Sequence, residues 1–481
     1  MATAVKVFDL TLPALLKRDL FGHLFPGDAD EHGAVIGCGV VETERGLRLL
    51  ARDLMLAKDG VDYVPGKAGY RMLTAQFVMK CADRCSRLGL AYLAVHNHGG
   101  TTSVDFSGPD MASHERGYPA LLDVVDGPPV GALVFATRAV AGDLWLPDGS
   151  RRELREAKVV GTTVGRLYPK LPPRPAVADE TYDRQARLFG DRGQALLRES
   201  KVGVIGAGGV GALVGLYMAR LGVGRLVVVE PERVDITNLP RLPGATRFDA
   251  RTWLTAEGRP EWLRRLGERI AARKLDIVRR EVRRTGMGTV FEGICADVSQ
   301  NDVAMRLRDC DYLFLAADTA TARLVFNALA HQYLIPGVQV GSKVPVDEES
   351  GEVGDVFSVV RPVLPDSGCL WCAKLINPTR LAEEAQSPEE RERHRYLEEI
   401  PAPSVITLNA IGAGHAANEF LFSLTGLREP GWHERYFRYH PRPRDLSMDT
   451  PLREPECAEC GLGPKSRRAM GDARELPTRV G

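Results

Sequence analysis

The chain has 481 residues, with 63 basic and 63 acidic side chains and 44% hydrophobic residues. That length implies two or three domains able to bury real cores, and the balanced charge gives no basic excess to draw nucleic acid. With no leader-like start and no long apolar span, a cytoplasmic location without membrane partners is the expectation.

In chain order, residues 1–165 alternate apolar strands such as Leu47 to Leu56 with a helix near Thr74 to Leu88 and further strands around Val130 to Leu146. This pattern reads as a mixed α/β domain with a central sheet. Within it, the apolar strand Leu90 to Val95 runs into His96-Asn-His98, followed by Ser107 and Asp110. Histidines at i and i+2 place both imidazoles on one side of an extended segment, and Asp110 offers a third ligand. Three protein ligands leave the fourth position to water, as in a catalytic rather than a structural zinc site.

The spacing of His96, His98, Ser107 and Asp110 resembles the JAMM/MPN-type zinc metalloprotease motif of deubiquitinases. Gly99 stands where that family usually has proline, and the loop from His98 to Ser107 is one residue longer. The resemblance implies a catalytic zinc on His96, His98 and Asp110, Glu31 as general base with Asp30 as its neighbouring alternative, and Ser107 supporting the oxyanion. Ser103 and Asp105, in the same loop, receive no role. Two readings follow: a peptidase, or a domain that only binds the protein the peptidase would have cleaved.

Residues 166–178 form a proline-rich linker, in which Tyr168-Pro-Lys-Leu-Pro-Pro-Arg-Pro-Ala176 favours an extended spacer. A second domain is expected over 179–464, with a polar, frayed tail at 465–481.

The second domain opens on strand Lys201 to Ile205, the glycine turn Gly206-Ala-Gly208-Gly209-Val-Gly211, a helix over Val210 to Leu221, and a parallel strand ending in Glu230. A strand, glycine turn and helix aim free N–H groups at phosphate in every dinucleotide fold, so by itself this reads as a dehydrogenase. Asn238 and Arg241 overturn that reading, being polar chemistry that hydride transfer does not need.

From about residue 180 to 463 the chain resembles the ThiF/MoeB-like adenylyltransferases, the superfamily of sulfur-carrier adenylating and ubiquitin-activating enzymes. The resemblance implies a doubly wound Rossmann-like domain binding ATP and Mg. Glu230 would hold the ribose, Asn238 and Arg241 the triphosphate, Lys274 would act from the helix expected over Glu261 to Arg284, and Asp318 would hold magnesium. Thr181-Tyr-Asp-Arg-Gln185 with Arg187-Leu-Phe-Gly190 matches the family's opening segment, which makes Arg184 an arginine finger acting across a homodimer. No function attaches to the apparent insertion Leu242 to Pro260.

Of nine cysteines, Cys369-Leu-Trp-Cys372 and Cys457-Ala-Glu-Cys460 form two C-x-x-C pairs, a pattern for structural zinc. Cys38, Cys81, Cys85, Cys295 and Cys310 read as core. Ala373 to Glu456 contains no cysteine, which removes the loop thiol on which many relatives build a thioester. An oxyester on Thr379 or Ser387 is the alternative, in a charged stretch, Leu381 to Glu399, expected to cross the active site. The chain is therefore expected to adenylate the C-terminal glycine of a small ubiquitin-like or sulfur-carrier protein, for a sulfur donor or a conjugating enzyme to consume. Its first domain would trim or remove that carrier, or merely bind it.

Overall fold

The computed structural model describes residues 6–65, 71–177, 179–347, 350–386, 403–429 and 435–479. It divides into two units: Met1–Arg174 with His331–Leu334 and Arg467–Glu475, and Pro175–Ala330 with Ile335–Ser466 and Leu476–Gly481. Among the described residues, no helix is long and apolar enough to cross a membrane.

The first unit runs β1 (Val7–Pro13), α1 (Ala14–Leu24), β2 (Gly33–Thr43), β3 (Gly46–Leu56), α2 (Ala75–Leu88), β4 (Ala91–Asn97), α3 (Gly108–Val125), β5 (Val130–Ala136), β6 (Ala139–Trp145), β7 (Arg151–Val160) and β8 (Val164–Leu167). The sheet order is β1-β3-β2-β4-β5-β6-β7-β8, and β1 also pairs with β7, so the sheet closes on itself. Closure satisfies the strand edges that an open sheet leaves exposed. Leu16, Leu20 and Leu24 of α1 pack with Leu10, Leu49 and Phe135 in one apolar layer. Phe77 and Cys81 of α2 and Tyr118 and Val125 of α3 form another with Val35, Tyr92 and Ala132. Local signals set the ends of α2: the Thr74 side chain accepts from the Phe77 N–H, and Gly89 closes the helix at φ +64°.

The tail is not frayed as its polarity implied. Ala469 is fully buried and Met470 6% exposed. The Ala469 N–H donates to the His331 carbonyl at 2.8 Å, the Gln332 amide to the Gly471 carbonyl at 2.6 Å, and the Tyr333 hydroxyl to Asp472 at 3.0 Å. In the first two of these bonds the tail contributes only backbone atoms, which leave no trace in composition.

The second unit contains α4 (Asp183–Glu199, kinked at Gly190), β9 (Lys201–Ile205), α5 (Gly209–Leu221), β10 (Arg225–Val229), α6 (Thr252–Thr255), α7 (Glu261–Ile270), α8 (Lys274–Arg284), β11 (Val290–Ile294), α9 (Asn301–Met305), β12 (Tyr312–Leu315), α10 (Ala320–Gln332), β13 (Gly337–Lys343), β14 (Phe357–Val363), α11 (Pro378–Ala385), α12 (Ile406–Thr425), β15 (Tyr436–His440) and β16 (Asp445–Asp449). Its sheet runs β11-β10-β9-β12-β13-β14-β15-β16, parallel from β11 to β13 and antiparallel beyond. From β9 the chain moves to β10 on one side and β12 on the other, so the switch point of this doubly wound sheet lies beside β9. Met218 of α5, Val278 of α8 and Phe420 of α12 cover the sheet at Val204, Val228 and Phe314.

The single helix expected over Glu261 to Arg284 is two. Ala271 and Arg273 are extended, at ψ 149° and 144°. Their stretch is tied down by Ala272 N–H to the Asp249 carbonyl at 2.9 Å and Lys274 N–H to the Glu232 carbonyl at 3.1 Å. Asp276 accepts the Arg273 N–H at 3.3 Å, and α8 starts at Lys274.

The tail segment seats on β2 through Gly39, where a Cβ would stand 2.1 Å from the Ala469 carbonyl oxygen. Gly39→Ala is therefore expected to lower stability by about 1–3 kcal/mol, measured by denaturant unfolding; an unchanged midpoint would show that the tail does not need this seat.

Candidate functional site

The second unit carries a cleft of about 890 Å³ at the carboxyl ends of β9, β10 and β12, within the size range of cofactor sites. Gly206, Gly208, Gly209, Glu230, Arg241, Lys274 and Asp318 all line it. Gly206 adopts φ +93°, and a Cβ on Gly211 would stand 1.8 Å from the Gly206 carbonyl oxygen. Gly206 thus makes the turn and Gly211, outside the cleft, lets α5 close onto it. Glu230 accepts the Ala207 N–H at 2.7 Å and the Glu232 N–H at 3.0 Å. Burial pushes its carboxyl pKa up, against the pull of Lys274 and these N–H groups. The Lys274 ammonium pairs with Glu232.

Two expected contacts lie elsewhere. Asn238 is 3% exposed and does not line the cleft. Its amide donates to Asp235 at 2.8 Å and helps to cap the short turn before Arg241, so it holds the loop. Arg184 is exposed on α4, outside the cleft of its own chain. Motif reading missed five cations that also line the cleft: Arg323 on α10, Lys343 on β13, Arg361 on β14, Arg380 on α11 and Arg438 on β15. Thr379 is exposed on α11, and Ser387, with most of Leu381 to Glu399, lies outside the described residues.

In the first unit, His96 and His98 emerge at and just after the end of β4, and Asp110 lies in the first turn of α3. The two Nε2 atoms are 3.2 Å apart, His96 Nε2 is 3.6 Å from Asp110, and His98 Nε2 is 3.4 Å from Asp110. Tetrahedral zinc with bonds near 2.0–2.1 Å separates its ligand atoms by roughly 3.3–3.4 Å, so the triad fits. His98 Nδ1 faces the Asp105 carbonyl at 3.1 Å. Donating there leaves Nε2 free to ligate. Glu31 reaches within 3.6 Å of His98 Nε2, and burial raises its pKa against the opposing histidines.

Ser107 has a different task from the one expected. Its hydroxyl donates to Asp110 at 2.6 Å and accepts the Asp110 N–H at 3.3 Å, the capping box of α3, so it orients a ligand. Burial opposes charge on Asp110, but hydrogen bonds from His96 and Ser107 prevail and hold its carboxyl below the usual range. Asn97, also missed, accepts the His32 N–H at 2.6 Å and ties the segment carrying Glu31 to the strand between the two histidines.

Cys369, Cys372, Cys457 and Cys460 converge. The sulfurs of 369 and 372, 369 and 457, and 372 and 460 are each 3.6 Å apart. That is far beyond a disulfide bond and close to the roughly 3.8 Å edge of a tetrahedron with 2.3 Å Zn–S bonds. The Glu454 N–H donates to Cys372 Sγ at 3.3 Å and the Glu459 N–H to Cys457 Sγ at 3.5 Å, a shell that favours thiolate. Of the other cysteines, Cys38, Cys81, Cys85 and Cys310 are buried, and burial pushes the Cys81 and Cys85 thiols up to about 12. Cys295 is only partly buried, because it follows β11 at the sheet edge.

A model of the ThiF family matches residues 182–460. Over 108 residues the chain is 36% identical to adenylyltransferase and sulfurtransferase uba4 of Aspergillus terreus, covering 19% of this chain and 22% of that one. Over 64 residues it is 45% identical to a sulfur carrier protein adenylyltransferase of Thermus thermophilus, 13% of this chain and 24% of that one. Over 60 residues it is 42% identical to tRNA threonylcarbamoyladenosine dehydratase of Bacillus subtilis, 12% of this chain and 24% of that one. The matched stretches thus span less than a quarter of each relative.

The two ligand sets predict two zinc ions per purified chain by elemental analysis. His98→Ala is expected to remove one and Cys372→Ser the other; a native chain holding one zinc that His98→Ala leaves in place would show that the histidine triad binds none.

Proposed function

Taking as premise that this chain belongs to the ThiF family, we propose that its second unit adenylates the C-terminal glycine of a small ubiquitin-like or sulfur-carrier protein with Mg·ATP. The observation that carries this is the convergence of the glycine turn, Glu230, Arg241, Lys274 and Asp318 on one cleft. The printed activities of the relatives include both carrier adenylation and a dehydratase. The two C-x-x-C pairs, which the resemblance to the carrier adenylyltransferases implies, favour the former.

In the proposed reaction a carboxylate oxygen of the glycine attacks the α-phosphorus of ATP. The bond to the bridging oxygen breaks, and pyrophosphate leaves with its electron pair. N–H groups at the glycine turn cradle phosphate, Glu230 holds the ribose, Arg241 and Lys274 neutralise the leaving pyrophosphate, and Asp318 holds magnesium. Lys274, itself buried, must exchange Glu232 for phosphate, one anion replacing the other so that the ammonium is not left unpaired. Arg184 completes the site from a second copy in a homodimer. With no cysteine between Ala373 and Glu456, the chain releases an acyl-adenylate to a sulfur donor or conjugating enzyme.

For the first unit we infer a metal-dependent peptidase that trims the carrier to its terminal glycine or removes it from targets. Zinc on His96, His98 and Asp110 would supply Lewis acidity and a water acidic enough to lose its proton near neutral pH. Glu31, within 3.6 Å of His98 Nε2, would serve as the base that accepts a proton and hands it to the leaving amine. A unit that binds the carrier without cleaving it is the competing reading.

ATP–pyrophosphate exchange, supported by a small carrier ending in Gly-Gly, is expected to fall about 100-fold or more in Lys274→Ala and in Asp318→Ala. Mixing Arg184→Ala with Asp318→Ala chains should restore about a quarter of native activity, since half the dimers are mixed and each has one complete site. Unchanged exchange in the single variants would remove the adenylation reading, and no recovery on mixing would remove the trans role of Arg184. Glu31→Gln should retain zinc yet lose cleavage of a carrier extended past Gly-Gly; cleavage at the native rate would show that Glu31 is not the base.

A further inference from the structure

The acids that line the cleft of the second unit, Glu230, Glu232, Asp297 and Asp318, all lie at its nucleotide end, on or just after β10, β11 and β12. Beyond them the cleft continues across β13, β14 and β15, where its charged lining residues are all cations: Arg323, Lys343, Arg361, Arg380 and Arg438. Neighbouring strands are about 4.8 Å apart, so Arg361 on β14 lies roughly 10 Å across the sheet from the strand before Asp318. Phosphate at the glycine turn already has Arg241 and Lys274, and among the described residues only Arg438 of this second group has an ion pair, with Asp449.

Their environment is costly to keep charged. Arg361 is 7% exposed. It stacks on the Tyr436 ring at 4.0 Å, donates one N–H to Gln339 Oε1 at 2.9 Å, and leaves its Nε with no partner. Arg323 donates to the Leu375 carbonyl at 3.2 Å, and its Nε is likewise buried without a partner. Burial works against charge on both. Arg438 shares Asp449 at 3.3 Å, and Glu384, which also acts on Arg323, is engaged by the Ala320 and Thr321 N–H groups at 2.8 Å. A guanidinium held over an aromatic ring and pinned at one nitrogen keeps further N–H groups to offer a carboxylate.

We propose that this arm of the cleft receives the carrier's C-terminal tail and selects tails bearing an acidic side chain a few residues before the terminal glycine. The inference rests on the adenylation reading above. The terminal carboxylate belongs at the α-phosphate beside Asp318, and the arm over β13 to β15 is where the residues preceding it would lie. Lys343 and Arg380, both exposed, would flank the tail's entry, with Arg361 deeper as the main contact.

The test is binding of short labelled peptides ending in Gly-Gly, with Glu, Gln or Lys at the third and fourth positions from the end, to the full chain at low salt, read by fluorescence anisotropy. The Glu peptide is expected to bind about tenfold more tightly than the Gln peptide. Arg361→Gln should abolish that preference. Lys343→Glu with Arg380→Glu, at exposed positions that do not endanger folding, should reverse the order in favour of Lys. Equal binding of Glu and Gln peptides, no binding of any peptide, or an order unmoved by charge reversal would overturn the proposal. ATP displacing the Glu peptide would do so too, by assigning the arm to the triphosphate. A separate titration with Mg·ATP keeps the two readings apart: its failure with the peptide order intact defeats adenylation and leaves tail selection standing.

Discussion

The approach of α5 to the turn at Gly206 is the constraint on which the nucleotide end of the cleft depends. Gly206 can make its turn at φ +93° because it lacks a Cβ, and its carbonyl occupies the volume a side chain on Gly211 would need. That contact draws the first turn of α5 down over the end of β9, so that free N–H groups face the space between β9 and β12. The Glu230 carboxylate then bonds the Ala207 N–H and joins the ends of β9 and β10. Side chains from loops as distant as Arg241 and Asp318 need only reach this fixed point, and none of them has to build it.

The same economy holds in the first unit, with different parts. The two histidines are placed by β4, which is held on both sides by β2 and β5. Asp110 is placed by the start of α3, whose capping box is made from Ser107 and Asp110 themselves, so one interaction both starts the helix and aims the carboxylate. The longer loop from His98 to Ser107 does not misplace the triad, because the Asp105 carbonyl meets His98 Nδ1. A loop that keeps a backbone acceptor in position can tolerate an extra residue and the loss of a proline.

What could be read in the sequence was what local spacing encodes. Strand β9, the glycine turn, β12 and each C-x-x-C pair depend on residues within a few positions of one another, and each lies where the spacing put it. Three kinds of feature were not legible. The break before Lys274 comes from backbone bonds to Asp249 and Glu232, which override an amphipathic pattern that fits one helix. The tail is ordered through its own backbone, the Ala469 N–H on the His331 carbonyl and the Gly471 carbonyl under the Gln332 amide, and what a tail gives from its backbone does not show in its side-chain polarity. The cations over β13 to β15 come from five elements spread across more than a hundred residues, and only the sheet order brings them together.

That last group bears on how two chemistries could share one chain. A peptidase and an adenylating enzyme for the same carrier must both recognise a flexible tail, and covalent linkage raises the effective concentration of each site for the product of the other. Linkage alone gives no selectivity, since any tail ending in glycine would be concentrated equally. Selectivity has to come from groups that read the residues before the glycine, and in the second unit the cations lining the cleft beyond Asp318 would be the groups to do so. A buried arginine such as Arg361, with an unmet Nε and no acid beside it in the cleft among the described residues, is a standing cost to the fold. An acidic tail would relieve that cost only when correctly seated, so tail binding and charge compensation would become one event. A neutral tail would fill the same space and leave the cost in place, and that difference in free energy is the physical meaning of specificity here.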